Sequence, residues 1–169
     1  PILLQQDANT NLTYRFKIFF QLLLICILTG IAISPIFALF DAIGWIDMKD
    51  HKTDILFKEM TAIQIVLLGA VLLPIIEEIV FRAPIVLFKK AKSFKIAFYL
   101  FTLVFGFIHI TNFEMTSNVL LLAPILVLPQ ILVGAYFGYI RVRFGLLWSM
   151  LLHGSYNATF IILSLIPEL

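Results

Sequence analysis

Five stretches of this 169-residue chain are apolar for long enough, or nearly so, to cross the hydrocarbon core of a bilayer, a length of roughly 20 residues. They run from about Phe16 to Phe40, Met60 to Phe88, Ile96 to Ile110, Val119 to Ile140 and Phe144 to Ile166. In lipid each backbone N–H and C=O must be satisfied within its own element, which leaves helices or a closed barrel, and runs of this length are helical. The expected fold is an all-α membrane protein, a bundle of about five transmembrane helices with a polar site buried near mid-membrane. Composition agrees: 62% of residues are hydrophobic and 13% charged, with a mean hydropathy of +1.05, outside the range of a water-soluble domain of this size. A cleavable signal peptide is a poor reading of the first stretch. Arg15 and Lys17 resemble its basic flank, but the stretch is too long and no small-x-small site follows.

Loop charges set the orientation, because cytoplasmic connections carry the Lys/Arg excess. Lys89, Lys90, Lys92 and Lys95 crowd the second connection, and Arg141 and Arg143 mark the fourth. The connection from Thr111 to Asn118 has no basic residue, and that from Asp41 to Phe57 sets Lys49 and Lys52 against four aspartates. Five spans with a cytoplasmic N-terminus satisfy every loop at once, the expected location being the bacterial plasma membrane. The domain division is a short polar tail over 1–14 and one polytopic membrane domain over 15–169. The tail before Leu12 is expected to be poorly ordered. Residue 1 is proline rather than methionine, so a fragment or processed form lacking N-terminal helices is expected. A net charge of +2, much of it from loop lysines, points to no nucleic-acid partner. The single cysteine, Cys26, excludes a disulfide framework or Cys-rich metal site within this sequence.

Three charged residues lie inside an apolar run: Glu77, Glu78 and Arg82. An ionised side chain at mid-helix costs roughly 2.5–3.5 kcal/mol on insertion scales, so the three must be paired, neutralised or solvated by a protein-lined cavity. Glu78 and Arg82 are four apart and share a helix face in the favourable order for an ion pair. Glu77 points about 100° away from Glu78 and is left without a partner in its own helix. Pro74, three residues earlier, removes a backbone donor and predicts a kink.

Two further pairs repeat the four-residue spacing. Phe105 and His109 share a face of the third segment, and His153 and Asn157 a face of the fifth. At about 1.5 Å per residue, Glu77 lies roughly 18 Å from Lys89, His109 roughly 21 Å from Lys95 and His153 roughly 15 Å from Arg143. All three should meet at one level of the membrane, with Asn157 one turn beyond.

A carboxylate beside an imidazole can take a proton from water, and a second imidazole with a side-chain amide can donate to the oxygen of a tetrahedral intermediate. Glu77, His109 and His153 could equally hold a divalent metal such as zinc with an open position. The residues alone leave both open, as they leave open a proton-coupled carrier using Glu77 as relay. Other protease designs are absent from the sequence. No His-Glu-x-x-His occurs, all five aspartates lie outside the spans, and no Gly-x-Ser-x-Gly surrounds Ser155.

Glu77-Glu78-Ile-Val-Phe-Arg82, then Phe105-x-x-x-His109, then His153-x-x-x-Asn157 resemble, in order, the three motifs of the CAAX-protease and bacteriocin-processing family of intramembrane endopeptidases, also called the Abi family. The resemblance covers about residues 62–162. It implies hydrolysis of a peptide bond in a membrane-associated peptide or protein, with Glu77 and His109 activating water and His153 and Asn157 stabilising the oxyanion. It also implies support from Glu78, Arg82 and Phe105. The family includes members described as metalloproteases and others as metal-independent glutamate proteases, so the cofactor, a divalent metal or none, stays open. The expected partners are the lipid bilayer and a peptide substrate. The alternative is a noncatalytic bacteriocin-immunity or scaffold protein that keeps the motifs.

Weaker features remain. Pro124, Pro129 and Gln130 could break the fourth segment and open a lateral path for substrate, although simple kinking is the plainer reading. Gly134 and Gly138 suit close helix packing, Trp45 and Trp148 suit interfacial anchoring, and His51 is expected to be solvated in a polar loop.

Overall fold

The computed structural model describes residues 5–48, 51–57, 59–88 and 90–166. Among the described residues the chain is helical without β-strands, and five helices are long and apolar enough to cross a membrane. They are α1 (Leu12–Ala42), α2 (Ala62–Leu87), α3 (Ala91–Asn112), α4 (Ser117–Phe144) and α5 (Leu146–Leu165). The chain is thus a multi-pass integral membrane protein of the expected all-α class. Lys49, Asp50 and Lys89, counted above among the loop charges, lie outside the described residues. A short helix, Lys52–Phe57, lies in the α1–α2 connection. Helix α3 is longer than its apolar run, its first turns carrying Lys92 and Lys95 with their side chains exposed.

Helix α4 is the centre of packing. Its Val133, Phe137 and Ile140 are buried against Phe19, Leu22 and Cys26 of α1, Phe105 of α3 and Leu152 of α5. Gly138 receives the ring of Phe98, as close packing there requires. Much of the remaining apolar surface faces outward: Leu24, Leu28, Ile63, Leu121 and Leu147 are more than half exposed, the arrangement that a lipid solvent allows.

Helix α2 departs from α-geometry where the site begins. After a capping box at Thr61 and Gln64, the segment Leu67–Leu72 is π-helical, and the Leu73 N–H bonds Leu68 O, five residues back. In that register the next amide would bond Gly69 O, but residue 74 is proline and has no N–H. The orphaned Gly69 carbonyl instead accepts from Asn157 Nδ2 of α5 at 2.9 Å. The anticipated kink at Pro74 is therefore a widened turn whose free carbonyl recruits α5. One turn earlier on α5, a Cβ on Gly154 would lie 2.5 Å from Ala70 O, so only glycine admits this approach. Helix α4 is interrupted at Val127, between Pro124 and Pro129, by a single residue with φ −96° and ψ 0°.

Two expectations are corrected. The tail is not loose over residues 5–11: Asp7 N–H bonds Arg143 O at 3.0 Å, and its carboxylate pairs with Arg143 and accepts from Tyr14 Oη at 2.9 Å. Arg143 offers the Asp7 carboxylate an opposite charge, and Tyr14 adds a hydroxyl donor. His51 is packed edge-on against Phe113, centroids 5.0 Å apart, rather than simply solvated.

Two outcomes follow. Gly154→Ala should lower stability in detergent by about 1–3 kcal/mol, read from denaturant unfolding, because a backbone carbonyl cannot move aside as a side chain does. The Asn9 amide, the Tyr14 hydroxyl and the Arg143 guanidinium hold the Asp7 carboxyl below its ordinary value of 3.8. A lowered native value means that the tie contributes above the unfolded-state value and is lost as pH falls through the native one. Acidification into that range, or Asp7→Ala, should speed amide hydrogen exchange over residues 5–11.

Candidate active site

The site is built around Glu78, which is completely buried. Its Oε1 lies 3.0 Å from His153 Nδ1, and its Oε2 accepts from Ser149 Oγ. Ser149 and His153 are four apart on α5, so one face of that helix meets both carboxylate oxygens. Ser149 Oγ also lies 3.1 Å from Phe137 O, which joins α4 to the same group.

Arg82 is the cation of the cluster, with 1% of its surface exposed. Its Nε is 3.7 Å from Glu78 Oε1, so the in-helix pair is present but is the longest of the Glu78 contacts. The pair expected from the four-residue spacing is thus present, with nearer partners for Glu78 on α5. The guanidinium sits 3.7 Å over the ring of Phe105, and Nη2 donates to Gly134 O at 3.2 Å. Cation–π contact of a desolvated Arg is worth about 2 kcal/mol or more. A Cβ on Gly134 would lie 2.7 Å from the Phe105 ring and 2.8 Å from Nη2, so this glycine makes room for ring and cation together.

His153 stands between the two glutamates. Its Nε2 is 3.5 Å from Glu77 Oε2 while Nδ1 faces Glu78. Phe137 stacks on the ring at 4.4 Å and 24°, and Phe105 meets it edge-on at 5.8 Å, which fixes its plane. His109 Nδ1 lies 2.7 Å from Phe105 O. A carbonyl only accepts, so Nδ1 carries the hydrogen and Nε2 is the nitrogen left for chemistry. His109 comes just after the α-helical part of α3, where the chain tightens into the 3₁₀ turn His109–Asn112.

Glu77, His109, His153 and Asn157 border one cavity of about 490 Å³. Phe105, Val133 and Phe137 form apolar lining, while Gln130, Thr111 and Asn112 add polar groups. Its lining includes the α3 end at Thr111 and Asn112 and none of the residues of the basic connections at Lys90–Lys95 and Arg141–Arg143. The structure thus brings together all four residues singled out for chemistry and the three singled out for support. Asn157 has a structural bond as well, since one amide hydrogen is used on Gly69 O. Sequence reasoning missed Ser149, Phe137 and the Gly134 carbonyl. Ser149 was the one with a signal, lying one turn before His153 on the same face.

Among the described residues no group of three His, Cys, Asp or Glu side chains is disposed to hold a metal ion. In this arrangement His153 directs both ring nitrogens at carboxylates.

Residues 59–159 match the family described as Type II CAAX prenyl endopeptidase Rce1-like, and the chain belongs to that family. Membership agrees with the motif resemblance and implies a peptidase of the intramembrane class. Comparison with curated proteins and with solved structures yields no match.

The unequal burial of the two glutamates makes a testable distinction. Removing one partner from a buried ionic cluster costs about 3–5 kcal/mol, so Arg82→Met should unfold far more readily than wild type. Glu77, with 28% of its side chain exposed to the cavity, should tolerate Gln within about 1 kcal/mol by the same denaturant measurement.

Proposed function

We propose that the protein is an intramembrane endopeptidase that cleaves a membrane-associated peptide or protein with water activated between Glu77 and His109. The observation that carries this reading is the shared cavity, in which a partly exposed carboxylate and an imidazole with a free Nε2 face the same space. Glu77 takes a proton from water while His109 Nε2 orients it, and the oxygen attacks the scissile carbonyl carbon. The resulting oxyanion is held by His153 and by the second amide hydrogen of Asn157. Glu77 then returns its proton to the leaving nitrogen as the C–N bond breaks, giving a carboxylic acid and an amine.

The roles of Glu78 and Arg82 follow from charge. The Glu78 carboxylate only accepts, so His153 donates from Nδ1, and donation from Nε2 as well requires the imidazolium form. Two carboxylates, one guanidinium and one imidazolium sum to zero, the least costly total for a site in lipid. The cluster thereby holds a donor toward the substrate oxygen without leaving a net charge in the membrane.

With the N-terminus cytoplasmic, as the loop charges propose, the cavity lies in the half of the bundle away from the cytoplasm. The plasma membrane of a bacterium is the setting this reading assumes. Prenylated C-terminal tails, named in the family description, are one substrate class to test, and unmodified apolar peptides are the other.

Purified wild-type protein incubated with both peptide classes should give fragments by mass spectrometry. Glu77→Gln and His109→Ala should each lower the rate at least about 10²-fold while retaining wild-type circular dichroism. Full activity in both variants would remove the proposal. Cell protection that survives both substitutions would favour the noncatalytic immunity or scaffold reading.

A further inference from the structure

Several polar groups bordering the cavity are already engaged. Thr111 Oγ1 donates to Ile108 O at 2.7 Å, His109 Nδ1 faces Phe105 O, and Asn157 gives one amide hydrogen to Gly69 O. Asn112 is different. It lines the cavity and is half-buried, and its side chain makes no hydrogen bond among the described residues. Neither its oxygen nor its nitrogen is sealed from solvent, so both can be reached.

The backbone sets the place of this amide. Asn112 closes the 3₁₀ turn His109–Asn112, and in such a turn side chains three apart lie one above the other. His109 and Asn112 therefore share an edge of α3, and both border the cavity. At about 2 Å of rise per residue, Asn112 stands roughly 6 Å along the axis from His109. An extended peptide advances about 3.3 Å per residue, so that distance corresponds to about two residues of substrate. A carboxamide both accepts and donates, the complement of a main-chain N–H and C=O.

The charge of the lining narrows what can lie there. Among the described residues that border the cavity there is no lysine or arginine, and Glu77 is the one acid. Arg82 is 1% exposed and is taken up by Glu78, the Phe105 ring and the Gly134 carbonyl, while His153 stands between the two glutamates. A free carboxylate entering this space would leave water without meeting a cation, beside a carboxylate already present. A neutral main chain meets no such penalty.

We propose that Asn112 is a substrate-binding residue that pairs its carboxamide with the main chain of an extended peptide about two residues from the scissile bond, and that the cavity takes internal bonds only. The inference rests on the endopeptidase reading above and deepens it: the substrate is an uncharged internal stretch of chain, not a tail whose free carboxylate lies two or three residues past the cut.

The test uses the full chain in detergent and an apolar fluorogenic peptide that wild type cleaves. One series shortens that peptide to end two or three residues after the cleaved bond, as the free acid and as the carboxamide. Wild type should favour the carboxamide about tenfold or more, read as kcat/KM or, where a form is not turned over, as inhibition of parent cleavage. A second series replaces one amide at a time by an ester. A single replacement about two residues from the cleaved bond should lower kcat/KM about tenfold, mostly through KM. Asn112→Ala should show a similar loss with the parent peptide, no further loss with that ester, and an unchanged unfolding midpoint. Equal handling of acid and carboxamide, unchanged cleavage by Asn112→Ala, a midpoint that falls, or an ester effect that persists in the variant would each overturn the assignment. Glu77→Gln separates the two levels. If it is inactive while Asn112→Ala cleaves like wild type, this inference fails and the endopeptidase reading stands; if wild type cleaves no peptide, or Glu77→Gln cleaves as well as wild type, both fall.

Discussion

One completely buried carboxylate organises the polar interior of this bundle. Glu78 of α2 meets His153 and Ser149 of α5, and its neighbour Arg82 reaches the Gly134 carbonyl on α4 and the Phe105 ring on α3. A charge at that depth is tolerable only if its lone pairs are filled and its sign is offset nearby. Its lone pairs are filled from α5 and its sign is offset by Arg82, which α3 and α4 seat, so the cluster forms only when the helices are correctly placed. It thereby specifies one relative arrangement among the many that apolar helices in lipid would otherwise find nearly equal.

The backbone of α2 contributes a second constraint of the same kind. Pro74 and the π-helical turn before it leave the Gly69 carbonyl without an amide, and Asn157 supplies one from α5. Gly154 permits the close approach that this bond needs. The residues that dock α5 are thus the neighbours of those proposed for chemistry: His153 precedes Gly154 in the chain, and Asn157 serves both purposes. Rigid placement of an imidazole between two carboxylates is what such docking provides, and placement within about half an ångström is what proton transfer demands.

Much of this was legible in the residue order. The five spans follow from apolar length, the three four-residue pairs from spacing, and their order as motifs from the family resemblance. Four-residue spacing correctly paired Glu78 with Arg82; the same spacing relates Ser149 to His153, a pair that the sequence reading passed over. It could not report the nearer partners of Glu78, because spacing along one helix says nothing of groups on another. The anchored tail was missed for a similar reason: Asp7 and Arg143 are brought together only by the antiparallel return of the chain. The break in α4 was visible as Pro124 and Pro129, but its small extent, one residue, depends on Val127 keeping its own amide bond.

The sequence by itself determined that the chain crosses a membrane, that it is helical, and that Glu77, Glu78 and Arg82 must find compensation inside the bundle. These follow from solvation, which depends on composition over a window and needs no knowledge of neighbours. Only the tertiary structure decided which compensation is found. His153 proved to be the partner of both glutamates, and Phe105 the seat of the guanidinium. Hydrogen bonds and ring contacts act over a few ångströms between residues as many as 136 positions apart, and packing alone sets those distances.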